Sequence, residues 1–278
     1  CQVTGVQTCA LPIFGAYVSA YITKVLTNPA ELNALEKNAV FLISIFAGAV
    51  CAGLAGILIG LPCLRLKGDY LAIVTLGFGE IIRAIIRLIP TVGGPKGMSG
   101  IPAYSNFTVI LIFTVIIVIL VRNIVNSSYG RACISVRENE IAAGSVGINA
   151  FHTKLTAFTI AASMAGAAGV LYVHQLRMVQ PDQFSMARSC DFLVFLYAGG
   201  AGSITGSIVS AFVLTFLPEA FRFLSEFRLP IYAMLMILLM IFRPDGLFGG
   251  KEIPFLKCNT YTVKNLPKIG RASCRERV

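Results

Sequence analysis

The chain of 278 residues is 56% hydrophobic and 13% charged, with a mean hydropathy of +0.79. A soluble domain is about 45–50% apolar and about 25% charged. That contrast excludes a disordered tail, a collagen-like fibre and a small disulfide-stapled secreted domain, and it speaks against a soluble α/β enzyme. The expectation is an all-α, polytopic helical membrane bundle. A net charge of +10 does not indicate nucleic acid, because Lys and Arg are scattered without interleaved aromatics; in a membrane protein such residues mark the ends of spans.

Residues 3–13 (VTGVQTCALPI) resemble the in-frame translation of a sequencing-library adapter, and residues 269–278 (IGRASCRERV) resemble its opposite number. Segments 1–13 and 269–278 are therefore set aside as artefacts. The protein's own sequence then begins abruptly at Phe14, as expected for a chain truncated at its N-terminus. Residues 14–26 read as the tail of a partial span. A bilayer core about 30 Å thick needs roughly 20 apolar residues at 1.5 Å rise. Residues 39–62 (AVFLISIFAGAVCAGLAGILIGLP) supply such a span without a charge. Residues 69–89 are apolar but carry Glu80, Arg83 and Arg87, and 107–121 form a β-branched apolar run. Residues 153–173 are rich in Ala and Gly. The next apolar stretch is interrupted by GGAGSITG at 199–206, too glycine-rich for one helix. It reads as pieces at 190–199 and 204–217 joined by a break or re-entrant turn, and 229–242 closes the series. The spans occupy 14–255, and 256–268 form a tail.

Gly48, Ala52 and Gly56 make a small-xxx-small line, and Ala162, Gly166 and Val170 nearly make another; such lines serve helix packing in membranes. Residues 90–106 are dense in Gly and Pro and read as a structured turn. Backbone amides of 93–102 offer an alternative use, meeting an anion. Counting Lys and Arg places nine on the side of 65–67, 122–154 and 243–257 against seven on the other, a weak positive-inside bias. His152 and His174 stand without ligand partners at metal spacing. Cys51, Cys63, Cys133, Cys190 and Cys258 show no CxxC spacing. No cofactor motif and no nucleophile–base arrangement is present, so catalysis has no visible machinery.

Two segments carry possible function. Residues 136–149 (VRENEIAAGSVGIN) lie in the longest polar connection, 122–152, and read as a short amphipathic helix with a charged start at Arg137, Glu138 and Glu140. Such a helix lies at a membrane surface or plugs into a groove of a soluble partner, and pattern alone does not choose. Glu80 is the one carboxylate well inside an expected span, which makes it a functional hypothesis by default. Arg83 at i+3 shares its face, so a structural ion pair, with Arg87 snorkelling outward, is the equal alternative. Thr75, Gly77, Gly79 and Glu80 together form a candidate translocation path.

The segment NSSYGRACISVRENEIAAGSVGIN resembles the cytoplasmic coupling loop of ABC importer permeases, whose pattern of Ala-Ala, three residues and Gly is matched by Ala142, Ala143 and Gly147. LRLKGDYLAIVTLGFGEIIR (64–83), GGPKGMSGIP (93–102), GGAGSITG (199–206) and FRPDGLFG (242–249) are similar, in order, to the second permease subunit of branched-chain amino acid ABC importers. The resemblance covers 14–255. Gly144 departs from it, standing where the family often has an acidic residue, which lowers both the stability and the charge of the docking helix.

The resemblance implies that Arg137, Glu138, Glu140, Ala142, Ala143 and Gly147 dock on a cytoplasmic ATPase. It implies a transport subunit rather than an enzyme, multi-pass in the cell (inner) membrane and in contact with lipid. Its implied partners are a homologous permease subunit, two ATPase subunits and an external substrate-binding protein. The substrate it implies is a branched-chain or related amino acid. The alternatives are a urea or short-amide permease of the same family and a stand-alone secondary transporter. The last is weakened because proton coupling usually leaves several membrane carboxylates.

Overall fold

The computed structural model describes residues 10–26, 34–66, 69–200 and 203–220, together with Met234. The expected span at 229–242 apart from Met234, the FRPDGLFG motif, the tail and segments 1–9 and 269–278 lie outside these described residues. Helix α1 (Ala10–Tyr21) continues as one wider turn through Leu26. Its first residues fall in the segment set aside above, and Leu11 and Ile13 are buried in the core. Helices α2 (Ala34–Cys63), α3 (Asp69–Leu88) and α4 (Phe107–Asn126) follow, then two short helices, α5 (Ser128–Glu138) and α6 (Glu140–Ser145). Helix α7 (Ala150–Leu176), α8 (Met186–Gly199) and α9 (Ile204–Ala220) complete the order. Two dipeptide strands, β1 (Met98–Ser99) and β2 (Met178–Val179), pair antiparallel, with Met98 opposite Val179.

Among the described residues, three helices are long and apolar enough to cross a membrane: Glu36–Cys63, Phe107–Asn126 and Ala150–Leu176. Each is at least as long as the roughly 20 residues a bilayer core requires. They also leave Leu42, Ile43, Phe46, Leu54, Leu58 and Leu111 exposed. Such apolar exposure is ordinary against lipid and costly against water.

The core is the packing of α1, α2 and α7, made possible by small residues. The two small-residue lines face each other. A Cβ on Gly56 would sit 2.6 Å from the Ala162 Cβ, and one on Gly166 would sit 2.4 Å from the Ala52 Cβ and 2.8 Å from the Gly48 carbonyl oxygen. Gly15 closes the third side against the Gly166 backbone. Without a hydrophobic driving force between helices in lipid, this close van der Waals approach is what holds a membrane bundle together. Helix α3 lies against the same core through Ile82 and Ile86.

Antiparallel α2 and α7 give the described bundle two ends. One end carries the α2–α3 turn with Arg65, and α5, α6 and the start of α7. The other carries the end of α3, the 89–106 connection and β2. Helices α8 and α9 form a hairpin whose glycines let the backbones touch: a Cβ on Gly206 would meet the Gly199 oxygen at 2.1 Å. The tip is closed by Ser203, whose Oγ accepts from the Gly206 amide at 2.9 Å, and by Ser210, whose hydroxyl donates to the Phe195 carbonyl at 2.6 Å.

Candidate functional site

The 122–152 connection is more divided than its sequence pattern suggests. The expected single helix from 136 is broken at Asn139, which is extended (φ −154°, ψ 109°). Its side-chain oxygen accepts from the Ile141 and Ala142 amides, at 3.0 Å each, and so starts a new helix. Arg137 and Glu138 consequently belong to the end of α5, where they pair with each other at 2.7 Å. Glu140 alone occupies the first turn of α6, and Lys154 of α7 holds it at 2.6 Å.

The Ala-Ala pair splits its duties. Ala143 is buried against the bundle, while Ala142 is exposed beside Ile141 and Val146, which are 87% and 80% exposed. Gly147 ends the helix with φ +86°. The Ile148 amide donates to the Ala143 carbonyl at 3.1 Å and the Gly147 amide to Gly144 at 3.0 Å, a left-handed closure that favours glycine. The product is a one-and-a-half-turn knob projecting two bare aliphatic side chains.

Helix α3 is two-sided. Thr75 is buried on the side that also carries Ile82 and Ile86. Glu80 lies about 140° around the helix from Thr75, at 100° per residue, and its side chain is 43% exposed. The four path candidates are thus separated: Gly77 falls on the Glu80 side, whereas Gly79, about 40° from Thr75, lies with it toward the core. A Cβ on Gly77 would meet nothing within 4 Å, so no packing within the described chain accounts for a residue that costs about 1 kcal/mol in a helix.

Glu80 pairs with Arg83, whose side chain is only 18% exposed. Arg87 does not simply snorkel outward; it pairs with Asp182, just beyond β2. In this 20-residue helix Glu80 lies about 2 Å from the midpoint at 1.5 Å per residue. A charged residue at the centre of a lipid-facing span costs roughly 2.5–3.5 kcal/mol. In a spanning α3 the Glu80–Arg83 face would belong against protein or water rather than lipid.

At the opposite end from the knob, residues 93–102 form a cap whose glycines are used by its own backbone. Gly97 (φ +68°) lies so close to β2 that a Cβ would meet the Val179 oxygen at 1.9 Å. The amides of Gly93, Gly94, Gly97 and Ile101 donate to Pro90, Ile89, Gly94 and Arg177 carbonyls, so these four are committed to the turn rather than offered to an anion. Lys24 reaches from α1 to the Ser99 carbonyl.

Under the cap sits a residue that sequence reasoning passed over. His174 is fully buried. Its Nδ1 lies 2.8 Å from the Pro102 carbonyl and its Nε2 lies 2.8 Å from the Ser19 hydroxyl. A carbonyl only accepts, so Nδ1 carries the proton, and in the neutral ring Nε2 accepts from Ser19. Tyr104 stacks on the ring at 5.5 Å and Phe41 meets it edge-on at 5.2 Å. Burial pushes the Tyr104 phenol up from its ordinary range, which keeps it protonated. The signal for His174 was its place in an apolar span, where any ionisable residue is a flag; looking only for metal partners missed it. Among the described residues no group of His, Cys, Asp and Glu is placed to hold a metal.

Comparison with known proteins places these features in a lineage. A family model described as the branched-chain amino acid transport system permease component matches residues 10–243. The high-affinity branched-chain amino acid transport system permease proteins LivM of Salmonella typhimurium and Escherichia coli K12 are each 37% identical to the chain over 236 residues. Those matches cover 72% of this chain and 55% of each relative, so the chain spans just over half the length of these curated proteins. A probable branched-chain amino acid transport permease protein LivM of Methanocaldococcus jannaschii is 23% identical over 262 residues, 84% of this chain and 76% of its own. No solved structure matches.

Proposed function

Because the chain belongs to the branched-chain amino acid transport permease family, we propose that it is the membrane-spanning subunit of an ATP-driven importer of branched-chain or related amino acids. It is a multi-pass membrane protein, and the cell membrane is its expected place. ATP is hydrolysed on two cytoplasmic partner subunits, a homologous permease completes the membrane unit, and an external binding protein delivers the substrate.

The observation that carries this reading is the α6 knob. Its exposed Ile141 and Val146 present a short helix face of the kind that seats in a protein groove, and its base is tied to α7 through Glu140 and Lys154. A push on α6 therefore reaches α7, the helix at the centre of the core. In this role Ile141, Ala142 and Val146 touch the ATPase. Ala143, Glu140 and Gly147 hold the knob in shape, and Arg137 and Glu138 flank it. On α3, Gly77 and Glu80 face the path, with Gly79 and Thr75 behind on the core side.

The test is uptake of radiolabelled leucine by cells expressing the permease with the homologous permease, ATPase and binding-protein genes of its system. Ile141→Asp should reduce uptake at least about tenfold, the loss of one buried apolar contact plus the burial of a charge. The amount of permease in the membrane should not change. Wild-type uptake by that variant removes α6 from the ATPase contact.

A further inference from the structure

We propose that the charged face of α3 lines the translocation path and that Glu80 and Arg83 form a station for a zwitterionic α-amino acid, whose ammonium is held by Glu80 and carboxylate by Arg83. The proposal rests on the reading of this chain as an amino acid permease and assigns the place and chemistry of recognition within it.

Three observations converge on that face. First, Ile82 and Ile86 of α3 pack on the chain's own core, while Glu80, Arg83 and Arg87 form a charged stripe away from it, beside an exposed apolar strip of Ile73, Ile81, Ile85 and Leu88. Charged residues in membrane helices face a protein interior or a water-filled cavity, and the described chain does not cover this side. Glu80 and Arg87 keep side-chain exposures of 43% and 40%. Second, that side has two small, uncovered positions: nothing among the described residues lies within 4 Å of a Cβ built on Gly77, and Ala84 is exposed one turn beyond Glu80. Third, the charges form a continuous series. Asp182 at the cap pairs with Arg87, and Glu80 pairs with Arg83 one turn further in, so the polar stripe runs from the bundle end to mid-helix.

The chemistry of a resting ion pair selects its ligand. A zwitterion can replace both halves of the pair at once, putting ammonium on Glu80 and carboxylate on Arg83. No uncompensated charge is created at membrane depth during the exchange, which is the costly event in a low-dielectric site. A neutral amide such as urea cannot do this. It offers hydrogen bonds to two ions already satisfied by each other, and opening the pair to admit it leaves both charges short of a counter-ion.

The experiment uses the assembled importer in proteoliposomes, with the native cysteines of the permease replaced. Single cysteines at Gly77, Ala84, Thr75 and Ile82 are exposed to a membrane-impermeant methanethiosulfonate. Reaction at Gly77→Cys and Ala84→Cys at least about tenfold faster than at Thr75→Cys and Ile82→Cys is expected from their exposure. Equal rates on the two sides overturn the path. In parallel, leucine uptake is measured for Glu80→Gln and Arg83→Gln, each expected to lose at least about tenfold, the worth of one charge-assisted hydrogen bond. Glu80→Asp should recover part of that loss, which separates recognition from folding. Leucine uptake at wild-type rates in both neutral variants overturns the station. The underlying amino acid reading fails separately, if the wild-type importer carries no leucine or other branched-chain amino acid.

Discussion

Replacing His174 by leucine would leave the Pro102 carbonyl and the Ser19 hydroxyl buried with their bonds unmade. Both lie within 2.8 Å of the ring. An orphaned buried polar group costs about 1–3 kcal/mol, so the purified permease should melt several degrees lower in detergent by a thiol-dye or light-scattering assay. Ser19→Ala removes only one partner and should cost less. Adding Ser19→Ala to His174→Leu should cost little more than the single change, because the two act through one bond. Fully additive losses would show that the Ser19 contact is incidental. The Ser19 and His174 side chains are 155 residues apart in sequence, so neither advertises the other, and a lone histidine read for metal spacing gave no hint of the pairing.

Among elements, α6 is where local rules and function meet most directly. Its start at Asn139 and its stop at Gly147 are both standard capping chemistry. The break at Asn139 was nevertheless hidden, because the charged residues on either side of it read equally well as one helical start. Gly147 at φ +86° admits a Cβ only with roughly 1–2 kcal/mol of strain, although the space around it is open. Gly147→Val should therefore lower ATP-driven uptake while leaving membrane insertion unchanged, as judged by uptake and membrane immunoblot. Unchanged uptake would remove Gly147 from the coupling element. Gly144 lies inside the helix with nothing within 4 Å of its Cβ position. Gly144→Ala should stabilise α6 by about 1 kcal/mol and preserve uptake; a fall in uptake would mean that the docked helix needs the smaller residue.

For the molecule as a whole, the bundle depends on backbone contact among α1, α2 and α7. Gly166→Leu would drive its side chain into Ala52 and the Gly48 backbone, 2.4 and 2.8 Å from the Cβ position. Helices cannot separate there without opening the entire seam, so the expected outcome is loss of monodisperse permease in fluorescence size-exclusion chromatography. Gly53→Ala is the matched comparison. Its nearest neighbour would be the Ser163 Cβ at 3.6 Å, an ordinary contact, and its yield should equal wild type. Equal behaviour of the two variants would show that the close α2–α7 approach is not required for folding.

The sequence by itself determined the membrane class, the long apolar helices near 39–62, 107–121 and 153–173, the helix end at Gly199 and restart at Ile204, and the ordered motifs that carry the family. Each of these depends only on hydropathy over about 20 residues or on local chemistry such as a glycine-rich turn. The tertiary structure alone decided which way the spans face. Lipid is as apolar as a helix interface, so hydropathy does not separate a packed side from a lipid side. Thr75 and Glu80 could be grouped in one path until packing placed Thr75 on the core. Arg87 likewise read as a snorkelling end until Asp182, 95 residues on, was found beside it. The two small-residue lines were legible as packing surfaces, but that they pack on each other followed only from the antiparallel arrangement of α2 and α7.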